Sequence, residues 1–383
     1  MKKIRVLSVF GTRPEATKMA PLVKALEGCS HVESLVCVTA QHRQMLDQVL
    51  EMTGIIPQYD LDIMVQNQDL AHITTAALNG LMKVIKQAEP DIILAHGDTT
   101  TTLAASLAAF YSKVKLGHVE AGLRTYDKFA PYPEEINRQL VTVLADLNFA
   151  PTVGAKTNLL AENVNPDSIF VTGNTAIDFV DTFVKQDYIF KEQRLNDIDF
   201  GGKRVIAMTA HRRENYGKPL ENICSAALRL VEDFDDVELV YAVHLSPVVQ
   251  DVARRILGNN SRIHLVDPLD VEDMIDLMAK SHVIMTDSGG IQEEAPHLNK
   301  PVVVLRDVTE RPEGLVAGCL VLAGTEEDAV YNAVAKLLVD DEVYAKMADA
   351  KNPFGDGHAA GRILSAILYH FGITQNKPAD FSP

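Results

Sequence analysis

Short apolar runs alternate with segments of helical period along almost the whole chain. In the first half, residues 4–9, 34–38, 91–95, 115–119 and 147–149 read as buried strands. In the second half, residues 204–208, 238–243, 263–266, 282–285 and 301–305 do the same. Between them, residues 16–26, 70–88, 103–111 and 220–233 carry the spacing of amphipathic helices. Alternation of this kind predicts an α/β fold with parallel sheets covered by helices on both faces. Two successive sets of strands predict two doubly wound, Rossmann-like domains, and 383 residues exceed what one core usually supports. The boundary falls beside Thr172-Gly173-Asn174-Thr175, giving domains at 1–171 and 172–362. A helix at about 363–374 is expected to pack back on the first domain, and residues 375–383, with two prolines and no periodic apolar pattern, to fray.

In open α/β sheets, ligands bind outside the carboxyl ends of the strands. The polar motifs of this chain follow the strand candidates, so each is expected at such an end. Two domains place the expected site in a cleft between them. The most informative segment is Thr286-Asp287-Ser288-Gly289-Gly290-Ile291-Gln292-Glu293-Glu294-Ala295, which links an apolar strand to a helix. Two glycines there let the backbone approach a ligand, and the free N–H groups of the helix start favour a phosphate. Glu294, about one turn on, could accept hydrogen bonds from ribose hydroxyls. An ordinary glycine-rich turn with Ser288 as N-cap is the plain alternative.

Gly11-Thr12-Arg13-Pro14-Glu15 opens a helix after the first strand, with Lys18 about one turn further. A basic pair there adds to the helix dipole and suits a phosphate, although Pro14 at N1 also marks any helix start. His96-Gly97-Asp98 is followed by four threonines, which are poor helix formers with hydroxyls to offer a ligand. Asp98 would equally serve as an N-cap. Glu120 ends the next strand, and Glu134 and Glu135 start a helix, where acids are routine dipole partners. Three carboxylate sites on one sheet edge, Asp98, Glu120 and Glu134, could remove a proton from one face of a carbon and return it to the other. That chemistry suits epimerisation or elimination. His211-Arg212-Arg213 can hold a diphosphate and assist a leaving group, or simply form a basic turn that His211 caps. The amides of Gln41 and Gln44 could read sugar hydroxyls or an acetamido group, or could sit on a solvated helix start.

The twelve histidines form no paired-ligand spacing, and no metal is expected. The four cysteines, Cys29, Cys37, Cys224 and Cys319, match no metal or redox motif, which points to inert thiols in a reducing cytoplasm. A net charge of −16 argues against a nucleic-acid partner, so an anionic substrate needs a locally basic site, which Arg13, Arg212, Arg213, Arg306 and Arg311 could supply. No apolar stretch is long enough for membrane insertion, and residues 11–15 interrupt the first run too early for a signal peptide.

Taken together, Phe10-Gly11-Thr12-Arg13-Pro14-Glu15-Ala16, Thr39-Ala40-Gln41-His42-Arg43, His96 to Thr102, His118 to Arg124, Ala210 to Asn215, Ser288 to Pro296 and Thr309-Glu310-Arg311-Pro312-Glu313 resemble the non-hydrolysing UDP-N-acetylglucosamine 2-epimerases. The resemblance runs in order across nearly the whole chain. It implies a glycosyltransferase-B-like fold and interconversion of UDP-GlcNAc and UDP-ManNAc, supplying ManNAc units for cell-surface polysaccharide. The implied reaction is an anti elimination of UDP giving 2-acetamidoglucal, then re-addition, with no cofactor. By the same resemblance Asp98, Glu120 and Glu134 are the catalytic carboxylates and His211 assists at the UDP oxygen. Arg13, Lys18, Arg212, Ser288, Gly289, Gly290 and Glu294 bind UDP. Gln41, Gln44, Gln68, Arg212 and His244 match positions that hold an activating second UDP-GlcNAc. A homodimer is implied as well. The chain departs from the family pattern at Val271 and Met274, where aromatics near the uracil are common, and at Ser246, Ala130, Tyr132 and Cys319. A hydrolysing 2-epimerase and a non-catalytic nucleotide-sugar sensor are the two rival readings.

Overall fold

A computed structural model describes residues 2–41 and 43–383. The described chain divides into two compact units. The first runs to Phe179 and resumes over Phe354–Ser382, and the second spans Val180–Pro353. These divisions fall later than residue 171 and earlier than residue 362. The reason is local: the helix Thr175–Phe183 begins directly after the first sheet, and residues from Phe354 onward bond to it.

In the first unit, β1 (Ile4–Phe10), β2 (Val32–Val38), β3 (Tyr59–Asp60), β4 (Ile92–His96), β5 (Lys115–Val119), β6 (Leu147–Ala150) and β7 (Ile169–Val171) form one parallel sheet. Its order is β3-β2-β1-β4-β5-β6-β7. The chain winds outward from β1, then returns to β4 on the other side of β1. That reversal opens a crevice at the carboxyl ends of β1 and β4. Apart from the edge strand β3, the strands are largely buried on both faces, as parallel strands under helices are. Leu7, Val9 and Ile93 pack with Leu81, Ala105 and Ala108 from the helices Leu70–Ala88 and Thr100–Ser112.

In the second unit, β8 (Arg204–Thr209), β9 (Val237–Ala242), β10 (Ile263–Val266), β11 (Val283–Thr286), β12 (Val302–Val304) and β13 (Leu320–Leu322) form a second parallel sheet, ordered β10-β9-β8-β11-β12-β13. The reversal here lies between β8 and β11. Ile206, Met285 and Tyr241 form its core with Leu230 and Val334. The buried Tyr241 hydroxyl donates to the Ala210 carbonyl at 2.8 Å, which fixes the peptide just before His211.

The helix Ala359–His370 packs on the helix Arg13–Glu27 of the first unit. The chain end does not fray as expected. Phe381 is buried and its N–H donates to the Val171 carbonyl at 2.7 Å. Asp380 accepts from the Val171 N–H at 2.9 Å and pairs with Lys156 at 2.6 Å. One plugged aromatic and one carboxylate anchor this segment, and neither produces a periodic pattern.

Candidate active site

The reversal point of the first sheet gathers the acids. Gly97 follows β4 with φ 69°, a conformation glycine adopts without strain. Its N–H donates to the Val119 carbonyl at 2.8 Å, and its own carbonyl lies 2.7 Å from His118 Nε2. That nitrogen carries a proton toward the carbonyl, and burial lowers the ring's pKa to about 4, which keeps His118 neutral. Asp98 comes next. Its carboxylate pairs with Arg138 at 2.6 Å and its carbonyl accepts from Asn137 Nδ2 at 2.8 Å. Burial raises the Asp98 pKa, Arg138 pulls it down, and the nearby Glu120 adds to the rise. Asp98 does not cap the following helix. Thr99 does, accepting from the Thr102 N–H.

Glu120 follows β5 at φ 65°, an uncommon left-handed position for a side-chain-bearing residue. Its carboxylate pairs with the Lys18 ammonium and accepts from Asn174 Nδ2 at 2.8 Å. His96 Nε2 lies 3.7 Å away, and burial lowers the His96 pKa to about 4 despite that neighbour. Lys18, expected at a phosphate, is therefore placed on Glu120. Arg13, half-buried at the start of its helix, has no hydrogen-bond or ion-pair partner among the described residues. Glu134 begins the helix Glu134–Leu144 and likewise has no partner among the described residues. The next turn of that helix supplies Asn137 and Arg138 to Asp98. Its neighbour Glu135 is the structural acid, buried and accepting from the N–H groups of Thr125 and Tyr126 at 3.0 and 3.1 Å. Three of the four threonine hydroxyls, expected to face a ligand, are instead spent within the protein: Thr101 on Thr39 and Gln41, Thr102 on the His96 carbonyl, Thr99 on Glu15.

The reversal point of the second sheet gathers cations and free N–H groups. Ser288 stands at the N-cap of the helix Gly289–His297, yet its side chain makes no capping hydrogen bond. A Cβ on Gly289 would lie 3.7 Å from Arg311 Nη2 and 3.8 Å from Arg212 Nη2, so two guanidinium groups flank the helix start. A Cβ on Gly290 would lie 3.3 Å from Glu294 Oε1, which places that carboxylate at the same helix start. Arg311 pairs with the buried Glu293, and Arg212 Nε donates to the Asp287 carbonyl at 2.8 Å. Asp287, fully buried, accepts from the N–H groups of His211 and Arg212 at 2.7 and 2.8 Å and from Asn215 Nδ2 at 3.0 Å. Its second oxygen is 3.4 Å from His211 Nδ1. The His211 ring lies beside that oxygen without a hydrogen bond to it, and stacks on His244 with ring centroids 5.7 Å apart. Two guanidinium groups over a helix N-terminus give this turn the chemistry to hold an anion.

Among the expected amide contacts, Gln68 Nε2 donates to the Gln41 carbonyl at 2.9 Å, and Gln41 Oε1 accepts from Thr101 at 3.1 Å. Gln44 is exposed on the helix Arg43–Thr53 and does not join them. His42 lies outside the described residues. Arg138, Asn137, Asn174, Asp287 and the hydrogen bond of His118 were not assigned from sequence. Asn174 stood in a segment read only as a boundary. Arg138 was detectable in principle, lying one helical turn after Glu134. Among the described residues, no group of three or more His, Cys, Asp or Glu side chains is placed to hold a metal ion.

Two doubly wound parallel sheets, each with its polar motifs at the chain reversal, define a glycosyltransferase-B-like α/β protein. Residues 24–368 match the family model described as UDP-N-acetylglucosamine 2-epimerase. The UDP-N-acetylglucosamine 2-epimerase of Bacillus subtilis is 54% identical over 382 residues, covering 100% of both chains. The S. aureus MnaA structure with UDP superimposes with a TM-score of 0.90 at 50% identity, covering 100% of both chains. The UDP-GlcNAc 2-epimerase of Neisseria meningitidis, solved bound to UDP-GlcNAc, gives a TM-score of 0.87 at 46% identity, covering 95% of this chain and 100% of that one. The chain belongs to the UDP-N-acetylglucosamine 2-epimerase family.

Proposed function

We propose that this protein interconverts UDP-GlcNAc and UDP-ManNAc by inversion at C2. UDP leaves from C1 as the C2 proton is removed, giving 2-acetamidoglucal. UDP then adds back while a proton returns to the opposite face. Asp98 and Glu120 are the groups proposed to exchange that proton, with Glu134 as the third carboxylate. The observation that carries this reading is the pair Asp98 and Glu120 at adjacent strand ends with opposed surroundings. One is pushed toward its neutral form by burial, and the other is held beside a lysine. Ser288, Gly289, Gly290, Arg212 and Arg13 are the proposed diphosphate contacts, with Glu294 at the ribose. Arg311 joins them from its place over the helix start. His211, whose backbone N–H is held by Asp287, assists at the departing UDP oxygen. Incubation with UDP-GlcNAc in deuterated water should place deuterium at C2 of both epimers, read by NMR. Turnover without C2 exchange sinks the proton-transfer reading. Free ManNAc with UDP would favour a hydrolysing enzyme, and binding without any turnover a sensor.

Gln41, Gln44, Gln68 and His244 are further proposed to contact a second, activating UDP-GlcNAc. Rate against UDP-GlcNAc is then sigmoidal, and Gln44→Ala flattens the curve toward a hyperbola while UDP affinity changes less. A homodimer is proposed as well. Ile136, Leu140 and Val143 line one side of the helix Glu134–Leu144, and Phe110 and Tyr111 end the helix packed beside it. All five are exposed, Val143 to 83%, an apolar stripe of the kind a second copy of the chain would cover.

A further inference from the structure

Glu15 is buried in the first turn of the helix Arg13–Glu27, and its two oxygens serve two different loops. Oε2 accepts from the N–H groups of Gly11 at 3.1 Å and Thr12 at 2.9 Å, and from the Thr12 hydroxyl at 2.8 Å. Oε1 accepts from the Thr99 hydroxyl at 2.7 Å and lies 3.2 Å from the Thr102 hydroxyl. The first set belongs to the turn after β1, which carries Arg13. The second belongs to the turn after β4, which carries Asp98. A capping box explains only the Oε2 half, where a glutamate at N3 reaches back to its own N-cap. The Oε1 half reaches the start of another helix, across the point where the sheet reverses.

We infer that Glu15 is a positioning residue that sets the separation of the Arg13 turn from the Asp98 turn, an inference that rests on Asp98 transferring the proton. Asp98 stands between two clamps. Gly97 before it is held to β5 by Val119 and His118. Thr99 after it is held to the β1 turn, among the described residues, by its hydrogen bond to Glu15. Losing the second clamp leaves Asp98 held by β5, Asn137 and Arg138, with its spacing from the Arg13 turn set only by the β1–β4 ladder that ends at Ala95.

The donors also dictate which replacements work. A glutamine has the same reach. Its amide oxygen can accept from Gly11 and Thr12, whose N–H groups cannot reverse roles. Its NH2 then faces threonine hydroxyls that can accept as well as donate. Thr102 already directs its proton to the His96 carbonyl at 2.6 Å. An aspartate, one methylene shorter, can still cap Thr12 but cannot reach both loops.

The test measures kcat, KM for UDP-GlcNAc and thermal unfolding for the wild type, Glu15→Gln, Glu15→Asp and Asp98→Asn. Glu15→Gln should keep most of the wild-type kcat. Glu15→Asp should lose about 10²-fold in kcat, the scale for a misplaced reacting group, with KM and unfolding temperature little changed. Wild-type kcat in Glu15→Asp would reduce Glu15 to a helix cap and overturn the inference. Equal losses in both variants would assign the effect to charge and also overturn it. If Glu15→Asp does not fold, Thr99→Asp replaces it. That variant still caps its helix but cannot donate to Glu15, so its kcat must fall too. Asp98→Asn judges the underlying reading separately: wild-type turnover there removes Asp98 from the chemistry whatever Glu15 does.

Discussion

Burial drives the Asp98 carboxyl toward its neutral form, while Arg138 at 2.6 Å favours the charge. Arg138→Met removes only the second influence. The Asp98 pKa should then rise, and the limb of the pH–rate profile that Asp98 controls should move to higher pH. An unchanged profile would mean that Asp98 does not set that limb. Asp98→Asn and Glu120→Gln should each lower turnover by roughly 10²-fold or more, with UDP still bound, as loss of a general acid or base predicts. Near-normal turnover in either variant would return that residue to a purely structural role. At this scale the sequence was informative about the acids themselves, because a carboxylate directly after an apolar strand is conspicuous. It was silent about their partners. Arg138 reaches Asp98 from a helix that starts 36 positions later in the chain, at Glu134, and Asn174 reaches Glu120 from a segment read as a boundary.

The helix Gly289–His297 separates folding from binding at one position. A Cβ on Gly289 would meet Arg311 and Arg212 only at 3.7 and 3.8 Å, ordinary contact distances. Gly289→Ala should therefore unfold at nearly the wild-type temperature. It should nevertheless weaken UDP binding by calorimetry, because the methyl group occupies the approach between helix start and guanidinium groups. Undiminished UDP affinity would place the diphosphate elsewhere. Elements with many apolar residues were legible from period alone, including β1, β4 and the helix Leu70–Ala88. The strands β3, β7 and β13 were not; two or three residues display little period, and β12, equally short, was read because Pro301 and Leu305 extend its run to five. They exist because a neighbouring strand presents unpaired backbone groups, as β2 does to β3.

The exposed stripe of Ile136, Leu140 and Val143 bears on the whole molecule. Leu140→Glu should convert a dimer to a monomer in analytical ultracentrifugation without lowering the unfolding temperature of the isolated chain, since Leu140 is already 47% exposed. A wild type that sediments as a monomer at all concentrations would remove the dimer. Among the described residues, no helix is long and apolar enough to cross a membrane.

Alternating apolar runs and helical periods determined that this chain builds two parallel sheets, because burial on both sheet faces requires that pattern. Ordered motifs at strand ends likewise carried the resemblance to a family. Which groups face one another was decided only by the tertiary structure. Lys18 read as a phosphate contact and pairs with Glu120; the threonines after Asp98 read as ligand contacts, and three of the four are spent on Glu15, Gln41 and the His96 carbonyl. Glu15 read as part of a helix start and links two turns. A motif specifies the residues that can bond, but a hydrogen bond forms with whichever group the sheet order brings within about 3 Å. Here that order is set by the reversal between β1 and β4, 82 residues apart from the end of one to the start of the other.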